Sequence, residues 1–157
     1  LTAPRPEIAR DEGSTRAAGR ALGERLAGGE LLSLEGDLGA GKTVFVRGLA
    51  AGLGHDPARV VSPSFVLAVE HPGGRVPLLH VDLYRLPGGA GIDDLGIEEA
   101  LAEGWVVAVE WGEKLPPFLR EVAIRVLLAA PPGEPGTRAI TVIPPPPTRG
   151  GSSAPPG

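Results

Sequence analysis

Residues 36–43 read Gly-Asp-Leu-Gly-Ala-Gly-Lys-Thr and fit the phosphate-binding pattern G-x-x-x-x-G-K-[ST] at every fixed position. The apolar run 31–35 before them predicts a buried strand, and the run 44–53 after them predicts a helix, so the pattern sits in the strand–loop–helix setting of a P-loop. That setting constrains the fold to an α/β domain. It also gives each residue a job. Gly36, Gly39 and Gly41 let the backbone turn its N–H groups toward phosphate oxygens, with Asp37, Leu38 and Ala40 completing the loop. The helix beginning near Lys42 aims its unsatisfied N–H groups and positive dipole end at the same oxygens. Lys42 is placed for the β- and γ-phosphates and the Thr43 hydroxyl for Mg²⁺. Lys42 and Lys114 are the only lysines among the 15 Lys and Arg residues, so a chain strongly biased toward Arg keeps a compact ammonium where a flat guanidinium fits poorly.

The rest of the chain supplies the other elements of one domain. Residues 14–27 carry Ala18, Leu22 and Leu26 on one face and predict a helix that Gly28-Gly29 stops. The P-loop helix repeats Val46, Leu49, Ala50 and Leu53 at core spacing. Runs 65–70 and 76–83 predict strands joined through His71-Pro72-Gly73-Gly74 as a hairpin. Residues 97–102 predict a short acidic helix after a glycine-rich loop. Residues 105–111 predict a buried strand, 115–119 a short helix, and 122–128 with 139–143 an antiparallel pair. The fold expected is a three-layer, P-loop NTPase-like α/β domain with a mixed parallel and antiparallel sheet. It occupies residues 1–143, with the folded part at about 12–143. Residues 144–157 are rich in Pro, Gly and Ser and are expected to be a disordered tail.

Composition excludes several classes. Cys is absent, which removes disulfide frameworks and Cys-based metal sites. No run approaches a membrane span, and residues 1–13 lack an apolar signal core, so a cytoplasmic protein is expected. A net charge of −4 with dispersed Arg argues against strong direct binding to nucleic acid. The 24 glycines read as compositional bias outside the P-loop.

A P-loop binds phosphate, but hydrolysis also needs an acid near Mg²⁺ and a group that orients water. Asp82 follows Leu78-Leu79-His80-Val81, and Glu110 follows Val106-Val107-Ala108-Val109; both end apolar runs, where ligands of open α/β sheets gather. Spacing alone does not divide the metal-binding and water-orienting roles between them. In Val61-Ser62-Pro63-Ser64-Phe65, Ser62 and Ser64 offer hydroxyls where many P-loop proteins carry a γ-phosphate-sensing switch. His80, a lone His on a strand, is read as structural. Trp105 is expected in the core, while Trp111, beside Glu110, is placed to contact nucleotide or a partner. Arg85 is a further position for phosphate or partner contact. The Asn-Lys-x-Asp signature of guanine recognition is missing, which favours ATP.

Taken with His-Val-Asp-Leu-Tyr-Arg-Leu at 80–86, Leu-Gly-Ile-Glu-Glu at 95–99 and Val-Glu-Trp-Gly-Glu at 109–113, this ordered series resembles the TsaE family, over about residues 12–143. The resemblance implies a small bacterial ATPase of tRNA threonylcarbamoyladenosine biosynthesis that works with the TsaD and TsaB proteins. In that system the partners transfer a threonylcarbamoyl group to the adenosine beside the anticodon, and tRNA is met only through the complex. It further implies that Lys42 and Thr43 are the phosphate and Mg²⁺ groups, Asp82 the Walker B-type acid, and Glu110 with Trp111 the second acidic strand end. Ser64 departs from the Ser-Pro-Thr-Phe usual in the family but keeps the hydroxyl. No built-in arginine finger is evident, so slow intrinsic hydrolysis is expected. Two other classes fit a P-loop. A small-molecule kinase needs a basic lid, and the 88–104 loop is acidic. A nucleotide-gated binding module would tolerate loss of hydrolysis at Glu110.

Overall fold

The computed structural model describes residues 4–63, 67–87 and 91–147. The strands are β1 (Glu7–Ala9), β2 (Leu31–Glu35), β3 (Ala68–His71), β4 (Leu78–Asp82), β5 (Val106–Glu110), β6 (Ile124–Ala129) and β7 (Arg138–Ile143). The helices are α1 (Glu12–Arg25), α2 (Lys42–Gly52), α3 (Ile97–Ala102) and α4 (Pro117–Arg120). The sheet runs β1-β7-β6-β2-β5-β4-β3. Its centre, β6-β2-β5-β4, is parallel, and antiparallel strands close both edges.

The central strands β2, β4 and β5 are buried at every position, which is why they read as continuous apolar runs rather than alternating ones. Their side chains divide between two cores. Leu32, Leu34, Leu78, Val106 and Ala108 meet α1 and α2 on one face, while Leu31, Leu79, Val81, Val107 and Val109 meet α3 and α4 on the other. The expected three layers and mixed sheet are therefore present. Val46, Leu49, Ala50 and Leu53 of the P-loop helix are all fully buried.

Three local features differ from the sequence reading. Helix α1 starts two residues earlier, because Asp11 caps it by accepting a hydrogen bond from the Ser14 N–H at 2.7 Å. Strand β1 pairs with β7 ahead of the expected start of the folded part; at three residues with only Ala9 buried, it carries no period to detect. The hairpin of β3 and β4 is present, although residues 65 and 66 lie outside the described set, as do residues 148–157 of the expected tail.

Four glycines of α1 and α2 are structural rather than incidental. Gly19 and Gly23 on α1 face Gly48 and Gly52 on α2. A methyl group on Gly19 would collide with the Phe45 carbonyl, on Gly23 with that of Leu49, on Gly48 with that of Arg16, and on Gly52 with that of Arg20. The two helices pack backbone to backbone, and both have the spacing G-x-x-x-G. Arg75 from the β3–β4 connection locks their far ends. Its guanidinium donates to the carbonyls of Leu26 and Gly23 at 2.8 Å and of Gly52 at 3.1 Å, placing a cation at two helix C-termini. Helix α2, whose first turn carries Lys42 and Thr43, is thereby fixed against α1.

Candidate functional site

The loop between β2 and α2 turns through Gly39 (φ 81°) and Gly41 (φ 98°), left-handed conformations that suit glycine. Gly41 sits at the N-cap position with no side-chain cap, so the first N–H groups of α2 are left to a ligand. The loop borders a cavity of about 540 Å³ that also takes in Lys42, Thr43, Ser62, Asp82, Glu110 and Trp111. The structure thus brings together the predicted loop, both acids and the first switch serine. Ser64 lies outside the described residues.

Lys42 is buried, and its ammonium donates to the Gly36 carbonyl at 2.5 Å and the Asp37 carbonyl at 2.8 Å. It also lies 4.2 Å from the centroid of the Trp111 ring, a cation–π contact. Burial pulls the Lys42 pKa down, opposed by the charges of Glu110, Glu113, Asp82 and Asp37. Trp111 reaches this position from a left-handed backbone (φ 61°), one of two non-glycine residues so placed among those described. Tyr84 packs edge-on against it with ring centroids 5.0 Å apart.

Asp82 and Glu110 stand side by side because β4 and β5 are parallel neighbours in register, Leu78 opposite Val106 through to Asp82 opposite Glu110. Both are buried. Burial pushes the Asp82 carboxyl above the usual carboxylate range and the Glu110 charge adds to this, while a hydrogen bond from the Tyr84 N–H opposes it. The Thr43 hydroxyl oxygen lies 3.0 Å from each carboxylate oxygen of Glu110. The Glu110 Oε2 is also 2.6 Å from the Nε2 of His80, a residue with no exposure at all.

A hydroxyl and two carboxylates are hard oxygen donors, the set that suits Mg²⁺. Among the described residues no group of three or more His, Cys, Asp or Glu forms a cage for a metal ion.

Three supporting residues escaped the sequence reading. Arg138 of β7 reaches across to the loop, its Nε donating to the Ala40 carbonyl at 2.9 Å and its Nη2 to that of Gly39 at 3.1 Å. Lys114 donates to the carbonyls of Leu83, Tyr84 and Leu86 and holds the segment after Asp82. Glu35, at the end of β2, accepts from Arg125 at both oxygens at 2.9 Å, from Ser33 at 2.9 Å and from Arg120 at 3.3 Å. Each depends on contacts between residues distant in sequence. None belongs to a short motif.

The family model "Threonylcarbamoyl adenosine biosynthesis protein TsaE" matches residues 9–139. The chain is 46% identical over 114 residues to a tRNA threonylcarbamoyladenosine biosynthesis protein TsaE of Streptomyces coelicolor, covering 71% of this chain and 76% of that one. It is 42% identical over 139 residues to the protein of that description from Nostoc, covering 85% and 82%. It is 39% identical over 140 residues to that of Treponema pallidum, covering 86% and 97%. The crystal structure of Bacillus subtilis YdiB superposes with a TM-score of 0.71 at 27% identity, covering 90% of this chain and 86% of that one.

Proposed function

Because this chain belongs to the TsaE family, we propose that it is the ATP-binding and ATP-hydrolysing component of tRNA threonylcarbamoyladenosine biosynthesis, acting with TsaD and TsaB. The observation that carries the catalytic part is the convergence of Lys42, Thr43, Asp82 and Glu110, from three separate elements, on one cavity beside the P-loop. No helix among the described residues is long and apolar enough to cross a membrane.

In this reading the loop N–H groups and the start of α2 bind the phosphates of ATP, and Lys42 leaves the Gly36 and Asp37 carbonyls to meet the β- and γ-oxygens. Thr43, Asp82 and Glu110 would hold Mg²⁺, which when bound neutralises phosphate charge. Glu110, already in contact with Thr43, is the acid assigned to orienting the attacking water. Trp111 covers the Lys42 side chain and limits water there. Ser62 borders the cavity and is assigned to γ-phosphate sensing, with Ser64 beside it in sequence. Arg138 is committed to loop carbonyls, while Arg85 borders the cavity and is assigned to phosphate or partner contact; slow hydrolysis by the chain alone and stimulation by partners are expected.

The test is ATP hydrolysis by the chain alone and with TsaD–TsaB, beside Lys42→Ala. Partner-stimulated turnover in the wild type and loss of nucleotide binding in Lys42→Ala are expected. Rapid turnover without partners, or unchanged ADP affinity in Lys42→Ala, would refute the reading.

A further inference from the structure

We propose that His80 is a positioning residue for Glu110, holding its carboxylate in the orientation that hydrolysis requires. The proposal rests on the assignment of Glu110 to water orientation. His80 Nε2 lies 2.6 Å from Glu110 Oε2, the shortest side-chain contact of this acid among the described residues. The other ring nitrogen, Nδ1, is buried and has no hydrogen-bond partner among the described residues. The proton therefore belongs on Nε2, which donates to Glu110.

The strand register explains how the ring gets there. His80 is paired with Ala108, and Glu110 lies two residues further along the same face of β5. A small side chain opposite His80 leaves room for the imidazole to lean diagonally toward the acid. A larger residue at 108 would block that path. Thr43 and His80 then grip Glu110 from two sides: the hydroxyl of the P-loop helix on one, the ring of β4 on the other. Thr43 is expected to turn toward Mg²⁺ when nucleotide binds, as the P-loop chemistry requires. His80 then remains the one contact of the pair that is independent of nucleotide. A side chain whose only polar bond among the described residues is to an acid, in a fully buried position where Leu or Val would pack well, has a role in placing that acid.

The experiment compares His80→Gln and His80→Asn in the full chain, with MgATP and TsaD–TsaB. Gln carries its amide donor at the reach of Nε2, whereas Asn carries it at the reach of Nδ1. His80→Asn is expected to lose at least tenfold in kcat while ADP affinity by titration calorimetry stays within threefold. His80→Gln is expected to recover most of the loss, and both variants to unfold cooperatively. Equal kcat in the two variants, or wild-type kcat in His80→Asn, would overturn the proposal, as would a loss confined to ADP affinity. Histidine-labelled wild-type protein gives a second readout that needs no turnover. A downfield ring N–H proton of His80 that moves on Glu110→Gln supports the contact, and its absence overturns it. A wild type that binds ADP but never hydrolyses ATP would refute the functional reading alone and leave this signal as the judge of the contact.

Discussion

Replacing Gly48 with Ala tests whether the α1–α2 interface sets the stability of the domain. In an exposed helix this change gains about 1 kcal/mol through helix propensity. Here the added methyl would run into the Arg16 carbonyl, with the Arg16 carbonyl carbon 2.8 Å and the Arg20 nitrogen 3.0 Å away. These are backbone atoms of a packed helix, so no rotamer change relieves the clash. The helices must separate by roughly 1 Å, and a gap of that size forfeits a quarter to a half of each dispersion contact across it. Leu22, Phe45 and Leu49 lie in the core cluster these helices cover. Overpacking usually costs about 1–3 kcal/mol, and the lost contacts raise that; after the propensity gain a net loss of about 2–4 kcal/mol remains. For a domain of this size that corresponds to a fall in Tm of roughly 4–16 °C. Gly13→Ala is the control. Its methyl would meet only the Asp11 carboxylate at 3.5 Å, an ordinary contact, and its Tm should stay level or rise slightly. Paired thermal and urea melts decide the matter: Gly48→Ala as stable as wild type would refute backbone-to-backbone packing of α1 and α2.

Three further outcomes are expected. Arg138→Ala removes two donors from the P-loop carbonyls of Gly39 and Ala40 and should weaken ADP affinity about tenfold, roughly 1.4 kcal/mol, with Tm little changed; calorimetric titration reads it. Burial alone would raise the Glu35 carboxyl, but hydrogen bonds from Arg125 and Ser33 and the charges of Arg125 and Arg120 outweigh it and hold it below the usual range. That stabilisation is complete above the ordinary Glu pKa and disappears as pH falls through the depressed value, so the Tm deficit of Glu35→Gln should be largest near neutrality and shrink below about pH 4. Asp82→Asn removes a carboxyl that burial and the Glu110 charge both penalise while keeping an acceptor for the Tyr84 N–H. It should raise Tm by roughly 2–4 °C as it abolishes hydrolysis, and a fall in Tm would count against the burial and charge penalty assigned to Asp82.

The sequence was most legible where one physical cause acted alone. The P-loop is local, and the runs that became β2, β4 and β5 are apolar because both faces of each strand are covered. The helix α3 was found over residues 97–102, where it was expected. What stayed hidden depends on neighbours distant in the chain. Strand β1 takes its place from pairing with β7, not from any pattern of its own. Arg138 lies 98 residues from the Ala40 carbonyl it holds, and nothing in its surroundings sets it apart from the other arginines. The glycines of α1 and α2 did leave a signal, a four-residue spacing on each helix, but in a chain with 24 glycines that signal was indistinguishable from bias.

The acids show how register turns two weak signals into a site. Each alone is a carboxylate at a strand end, where a turn or cap residue is common. Placing β4 beside β5, parallel and with Leu78 opposite Val106, brings the two equally long runs to their ends together and aligns Asp82 with Glu110. The same register sets His80 opposite the small Ala108 and within reach of Glu110. A one-residue slip of either strand would send its acid to the α3 and α4 face, where Val81 and Val109 now pack in the apolar core. Burying an unpaired carboxylate there would cost several kcal/mol, so the alternation that builds the second core also keeps each acid on the side of Lys42 and Thr43.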